Sequence, residues 1–273
     1  MMRPVNCLMM GLAVIIGAVL ASQNATTTWF NLSYGFVTGF MLTGASMAIN
    51  DFHDREIDAI NEPNRPIPSG LIKPKQALAY ALLLTAIGFI AAFLTNLICL
   101  ALAIIAWAVF VTYTTVGKRS GLPGNFLVST CVAIPFLYGS VATLNTINLS
   151  VSVFASIAFL SNTGREITKG IADVQGDKTK RIQTLAVRFG DKTAAVAAAL
   201  FYLMTVILSP IPWLLNVVSV WFIPLVAITD VGLVISSAML LKNYSRENAR
   251  RIKKLVLLWL LIALLAIIVG TIR

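Results

Sequence analysis

Charge is what this chain has least of. Of its 273 residues only 12% are Asp, Glu, Lys or Arg, while 58% are hydrophobic. A water-soluble domain of this length would be far more polar, so that class is excluded. Histidine occurs once, at His53, and cysteine three times, at Cys7, Cys99 and Cys131, with no Cys-x-x-Cys pair. That scarcity argues against His/Cys metal centres and a disulfide framework, and leaves the cysteines as small apolar packing residues. Acidic residues number 11 against 21 Lys and Arg, so any place where acids gather stands out. The net charge of +10 would suit nucleic acid, but the distribution of the basic residues points to a membrane instead.

Apolar runs of spanning or near-spanning length recur from end to end. They read as nine spans near Cys7–Ala21, Ser33–Asn50, Gln76–Thr95, Leu97–Thr115, Asn125–Thr143, Leu149–Thr163, Thr193–Pro210, Val217–Leu241 and Ile252–Ile272. The expected fold class is therefore all-α: a polytopic membrane protein of nine transmembrane helices, forming one domain over residues 1–273. With nine spans the loops alternate sides, and every Lys and Arg except Arg273 falls on one of them. This positive-inside bias places the N-terminus and the charged loops at the cytoplasmic face of the cell membrane, as a polar cap. Arg3, an apolar run and Ala18-Val19-Leu20-Ala21 superficially match a secretory leader. Eight further spans make cleavage unnecessary for targeting, so a retained helix is expected. Asn24, Asn31 and Asn148 stand in sequons on the outer side, in loops close to the membrane, where glycosylation is not expected. The lipid bilayer is the partner that composition implies. No nucleic acid is expected, and no protein partner is predictable.

Two acidic clusters interrupt this apolar background. Asn50-Asp51-Phe52-His53-Asp54-Arg55-Glu56-Ile57-Asp58 closes the second span. On a helix Asp51, Asp54 and Asp58 share one face, with Asn50 a turn from Asp54. Carboxylates so placed repel one another and oppose the helix macrodipole unless a cation joins them. Hard cations with oxygen ligands suit such a set, and Mg²⁺ takes one or two carboxylates plus substrate phosphate. The second cluster follows the sixth span: Arg165, Glu166, Lys169, Asp173, Asp177, Lys178, Lys180 and Arg181. Acids ringed by basic residues in two places point to a metal–diphosphate site.

Plainer explanations apply to some of these residues. A solvated helix end accounts for one or two acids but not for three on one face. Asp173 and Asp177 have a stronger alternative, surface pairing with Lys169, Lys178 and Arg181. Lys242, Arg246, Arg250, Arg251, Lys253 and Lys254 are explained by the topology signal and contact with anionic lipid. His53 lies on another helix face and reads as a hydrogen-bonding support or bystander. Asp230 sits within the eighth span, where a carboxylate is costly; a cavity-facing role and an interhelical hydrogen bond are equally open. Three prolines bar a helix across Asn61–Gly70 and predict an ordered turn presenting Arg65. Gly176 is expected to interrupt a charged helical stretch within a long loop, Gly164–Lys192, and Asp191 to cap the next helix.

The pattern Asn50-Asp51-x-x-Asp54-x-x-x-Asp58, then Asn64-Arg65-Pro66-Ile67-Pro68-Ser69-Gly70, then Gly164-Arg165-Glu166 with Asp173-x-x-x-Asp177, resembles the UbiA superfamily of intramembrane prenyltransferases. The resemblance covers essentially the whole chain and implies a UbiA-like helical bundle. It implies that Asp51, Asp54, Asp58, Asp173 and Asp177 hold Mg²⁺ or support it, together with Asn50. It places Asn6 near the pocket and matches Asn125 to the asparagine that opens span five. Arg65, Lys118 and Lys169 would neutralise the leaving pyrophosphate, with Arg119 and Arg165 beside them. Asp54, Asp58, Lys118 and Asp177 carry the expected catalysis. Members often place a Tyr ahead of that Lys with three residues between; here Thr114 holds the position and Tyr113 precedes it.

The resemblance further implies an isoprenyl diphosphate donor bridged through Mg²⁺ between the two acid clusters, its chain lying among apolar helices. The second cluster looks most like the archaeal ether-lipid branch. There a geranylgeranyl group passes from geranylgeranyl diphosphate to the sn-2 hydroxyl of geranylgeranylglyceryl phosphate, a prenylated glycerol phosphate acceptor. Arg165, Lys169, Lys178, Lys180 and Arg181 supply the surplus of cations that a second anionic substrate demands. An aromatic acceptor of quinone biosynthesis is the alternative. A CDP-alcohol phosphotransferase lacks its Asp-x-x-Asp-Gly…Gly-x-x-x-Asp motif here. A transporter would place ionisable groups near the midplane, where only Asp230 lies.

Overall fold

The computed structural model describes residues 1–22, 28–179 and 182–272. Asn24, Lys180, Arg181 and Arg273 lie outside the described residues. Among those described, every regular element is helical. In chain order they are α1 (Pro4–Ala21), α2 (Trp29–His53), α3 (Arg55–Asn61), α4 (Pro74–Thr95), α5 (Leu97–Thr115), α6 (Leu122–Leu144) and α7 (Leu149–Thr179). After them come α8 (Leu185–Phe189), α9 (Asp191–Leu208), α10 (Ile211–Leu214), α11 (Phe222–Lys242) and α12 (Arg246–Gly270). A 3-10 turn at Gly117–Ser120 follows α5.

The helix boundaries are written locally. Pro4 and Pro74 occupy first helical positions, where the missing N–H has no partner to lose. The side chains of Thr28 and Ser245 accept from the Asn31 and Asn248 amides and cap α2 and α12. Asn145 and Asn216 turn the chain at φ 55° and 56°, conformations that asparagine tolerates better than most residues. Asp191 does not cap α9 as expected. It is the first helical residue, and Gly190, at φ 85°, takes the capping position, where an L side chain would be strained.

Among the described residues, eight segments are long and apolar enough to cross a membrane: α1, α2, α4, α5, α6, Asp191–Leu214, α11 and α12. Leu82, Leu83, Ile90 and Phe93 on α4 and Ile104 and Ile105 on α5 are exposed, a surface that suits lipid rather than water. The sixth expected span, Leu149–Thr163, is the first half of α7. This helix runs on for 31 residues in all, about 46 Å at 1.5 Å per residue. The expected loop from Gly164 is thus helical to Thr179, and Gly176 does not interrupt it. An interior glycine costs only about 1 kcal/mol against alanine, and α12 braces the same turn. Arg246 Nε donates to Ala172 O at 3.0 Å, and its Nη1 donates to Gln175 Oε1.

The chain divides into two compact units, Met1–Thr115 with Ile134–Val151, and Val116–Ala133 with Ser152–Arg273. In the first, α1 and the second half of α6 meet backbone to backbone. A Cβ on Gly17 would stand 2.1 Å from Phe136 O, and one on Gly139 2.1 Å from Val14 O, so glycine is what lets these helices touch. The Tyr138 hydroxyl lies 3.3 Å from both Thr38 Oγ1 and Thr95 Oγ1 and ties α6 to α2 and α4. In the second unit, Tyr202 is fully buried against Gly164, with its hydroxyl 2.8 Å from Thr168 Oγ1. Ile167, Ile171, Ala198, Leu233, Ile252 and Val256 close the same core. Asp230 accepts from Ser209 Oγ at 2.6 Å, which makes it an interhelical hydrogen-bond partner. Of the sequons, Asn31 donates to Ala142 O at 3.3 Å, and Asn148 Oδ1 accepts the Ser150 amide at 2.8 Å.

Gly139→Leu is expected to destabilise the first unit by about 1–3 kcal/mol or more, because an overpacked crossing cannot relax into backbone. A melt of the detergent-solubilised protein should show a clear drop in midpoint. Leu83→Ala, on the exposed side of α4, should stay within about 0.5 kcal/mol.

Candidate active site

The acidic trio does not lie on one unbroken helix. α2 stops at His53, Asp54 sits at φ −86° and ψ 0°, and α3 starts at Arg55. That sparsely populated backbone region recurs at active sites. The hydrogen-bond ladder nevertheless continues, with Asp54 N donating to Asn50 O at 2.8 Å and Asp58 N to Asp54 O at 2.7 Å. The expected shared face therefore survives the break. Asp51, Asp54 and Asp58 are 4%, 6% and 5% exposed, so this is not a solvated helix end.

Cations and an amide donor compensate these carboxylates, the Met1 ammonium among them at 3.7 Å from Asp51 Oδ2. Asn50 Nδ2 donates to Asp54 Oδ2 at 2.8 Å. Arg65 Nη1 lies 3.3 Å from Asp51 Oδ1 and 2.5 Å from Asp58 Oδ2. It is delivered by the expected proline-rich turn, which closes on itself through Arg65 N to Glu62 O and Ser69 N to Arg65 O. Arg3 Nη2 stands 3.5 Å from Asp51 Oδ1, a contact that sequence spacing did not reveal. Asn6 is half-buried one turn further along α1. Burial pushes the Asp58 carboxyl up to about 6; Arg65 pulls it down, while Asp54 and Asp51 add to the rise. Burial weakens the Arg65 charge, and Asp58, Asp51 and Asp54 more than restore it, raising its pKa above the ordinary value. His53 is exposed, its ring packed edge-on against Phe52 at 5.5 Å, a bystander to the acids.

The second unit inverts this chemistry. On α7, Glu166 is buried, with Oε1 3.5 Å from Arg165 Nη1 and Oε2 3.3 Å from Lys169 Nζ. Burial opposes its ionisation, but Lys169, Arg165 and Lys118 override that and hold it below the usual carboxylate range. Sequence reasoning had Glu166 in a motif but gave it no role. Its signal was the i, i+3 spacing to Lys169. Asp173 Oδ1 lies 3.9 Å from Lys253 Nζ, and Asp177 is buried with its carbonyl accepting the Ile182 amide at 2.9 Å. Lys253 and Arg246, assigned by sequence to topology and lipid contact, therefore also touch α7. Arg119 is exposed and Asn125 half-buried in the first turn of α6. Tyr113 is buried on α5, and the Thr114 hydroxyl bonds to the carbonyls of Phe110 and Val111.

Among the described residues no three His, Cys, Asp or Glu side chains form a ready metal cage. Mg²⁺ needs none, since it keeps waters and uses one or two carboxylates plus phosphate. Asp51, Asp54 and Asp58 fit it: oxygen donors, buried together, one with its proton affinity raised chiefly by burial. A dication there would displace that proton.

Fold and side chains together define a polytopic, all-helical membrane protein whose helix ends carry oxygen-donor carboxylates and partly buried cations. The chain belongs to the UbiA prenyltransferase family, whose family model matches residues 11–269. It is 36% identical over 97% of its length to a digeranylgeranylglyceryl phosphate synthase from Methanosarcina mazei, covering 96% of that protein. A solved structure concerning digeranylgeranylglyceryl phosphate synthase in membranes is 32% identical and superposes with a TM-score of 0.75, over 99% of this chain and 95% of that one. The fold is also shared, at 15% identity and a TM-score of 0.58, with a UbiA homolog from Archaeoglobus fulgidus bound to DMAPP and Mg²⁺, over 98% of this chain and all (100%) of that one.

Arg65→Ala would leave Asp51 and Asp58 buried without their shared guanidinium, a loss on the order of 3 kcal/mol. In EDTA the variant should melt well below the parent. Millimolar Mg²⁺ should recover part of the difference, which is the sign that a cation can take the place of Arg65 among these carboxylates.

Proposed function

We propose that this protein carries out the digeranylgeranylglyceryl phosphate synthase reaction. Geranylgeranyl diphosphate is the donor, the sn-2 hydroxyl of geranylgeranylglyceryl phosphate is the acceptor, and pyrophosphate is released. The observation that carries the reading is full-length similarity to synthases of that name. It is supported by a carboxylate set suited to Mg²⁺ and by cations in excess of what a single anionic substrate requires.

In this reading, as the family resemblance implies, Asp51, Asp54, Asp58, Asp173 and Asp177 would hold the metal, with Asn50 orienting Asp54. Bound Mg²⁺ supplies Lewis-acid stabilisation of the departing pyrophosphate. Arg65 and Lys118 add fixed positive charge where negative charge develops. Asn6, Arg119 and Asn125 contact the polar ends of the substrates, and Arg165 and Lys169 bind an anionic group. The donor's C1–O bond breaks with its electron pair leaving on pyrophosphate. The acceptor's sn-2 oxygen then bonds to C1 and gives its proton to the pyrophosphate that has left. Apolar helices shelter the allylic cation from water, which would otherwise capture it. The chain serves this one reaction as a single prenyltransferase domain, and the basic bias of the loops supports a cytoplasmic N-terminus and cytoplasmic charged segments.

Product analysis by mass spectrometry tests this. Purified protein with Mg²⁺ and geranylgeranyl diphosphate should convert geranylgeranylglyceryl phosphate to a double-chain ether phosphate, and Asp54→Ala should lower the rate about a hundredfold or more. A prenylated 4-hydroxybenzoate or dihydroxynaphthoate instead would overturn the acceptor assignment. Absence of Mg²⁺-dependent pyrophosphate release would overturn the transferase reading itself.

A further inference from the structure

We propose that Arg165 and Lys169 form a metal-independent subsite for the phosphomonoester of the acceptor, distinct in chemistry from the Mg²⁺-dependent grip on the donor diphosphate. The inference rests on the prenyl-transfer reading above. The two residues stand one turn apart on α7 and face the same side. They cannot easily turn away, because Thr168 and Ile167 between them are buried, and Thr168 is bonded to Tyr202.

The observation that points to a ligand is Arg165 Nε. It is buried and has no acceptor within the protein, while Nη1 of the same guanidinium reaches Glu166 only at 3.5 Å. A buried N–H without an acceptor is rare and costly, and such a donor commonly marks where a ligand, ion or water completes the site. The ligand class that suits a guanidinium edge beside an ammonium is an oxyanion: the fork reads two phosphate oxygens and the lysine adds a point charge.

Two features favour the monoester over the diphosphate. Both oxygens of Glu166 are engaged by Arg165 and Lys169, so this cluster presents no free carboxylate to a metal. An anion here is held by direct charge and hydrogen bonds. The acceptor phosphate also keeps all its bonds through the reaction, so it needs anchoring and no Lewis acid. A phosphomonoester carries nearly two negative charges at neutral pH, matched by two cations. Glu166 is the positioning residue that spaces those cations and keeps them on one side of α7.

The test measures binding and kinetics side by side. In EDTA, the parent protein should bind geranylgeranylglyceryl phosphate about 10-fold to 100-fold more tightly than the same lipid without its phosphate. Inorganic phosphate should bind far more weakly than the lipid. In Arg165→Met the preference for the phosphorylated lipid should collapse toward unity. The acceptor KM should rise by a similar factor, while the donor KM stays within about twofold; Arg165→Lys should recover part of the loss. The subsite is overturned if acceptor binding requires Mg²⁺, if free phosphate binds as well as the lipid, or if Arg165→Met leaves the phosphate preference intact. If the variants fail to fold, the parent's metal-free preference decides. Failure of the reaction reading looks different: the parent protein makes no double-chain product, whatever it binds.

Discussion

Burying Asp51, Asp54 and Asp58 together at the end of a membrane-spanning helix governs much of what surrounds them. Three carboxylates within eight residues of chain, each less than a tenth exposed, repel one another at a helix end where the macrodipole is already negative. The arrangement persists only with positive charge close by. That need accounts for the guanidinium of Arg65, aimed back at Asp51 and Asp58 from a loop that three prolines keep from becoming helical. The helix breaks at Asp54 between them, and the hydrogen-bond ladder that continues through the break keeps the acids on one side. In the proposed function a dication at these carboxylates would relieve the repulsion that the folded protein tolerates.

The second unit solves the opposite problem. Cations gather along α7, and a single buried glutamate holds them in register. Ionising a buried acid is unfavourable, yet here three basic residues outweigh burial, so the glutamate and the cations stabilise one another. The rest of α7 is secured by neighbours distant in sequence. Tyr202 packs on Gly164 and meets Thr168, and Arg246 donates to the turn that contains Ala172 and Gln175. These contacts let one helix pass from an apolar stretch into a charged one without unwinding.

Part of the candidate site was legible in the chain. The i, i+3, i+7 spacing of the aspartates, the place of Asn50 a turn from Asp54 and an ordered turn carrying Arg65 all follow from local geometry; that Asn50 donates to Asp54, and Arg65 to Asp51 and Asp58, came from the structure. What was misjudged is equally informative. Gly176 read as a helix breaker because intrinsic propensity is local, whereas the brace from Arg246 comes from 70 residues further on. Arg246 and Lys253 read as topology signals because charge counts along loops carry no information about which helix those side chains meet. Glu166 went without a role because its importance lies in being buried, and burial is not written in a short motif. Asp230 stood open until Ser209, the residue that caps the end of α9, proved to be its partner.

Summed and local properties were therefore settled by the sequence itself: an all-helical membrane protein and two motifs rich in oxygen donors and cations. Hydropathy, charge bias and helical spacing each depend on residues near one another in the chain, so no fold is needed to read them. Only the tertiary structure decided which cation faces which carboxylate, how far α7 continues, where glycines let helix backbones touch, and that Arg165 keeps a buried donor unsatisfied. Those outcomes depend on pairs of residues far apart in sequence, whose meeting is set by packing geometry rather than by composition.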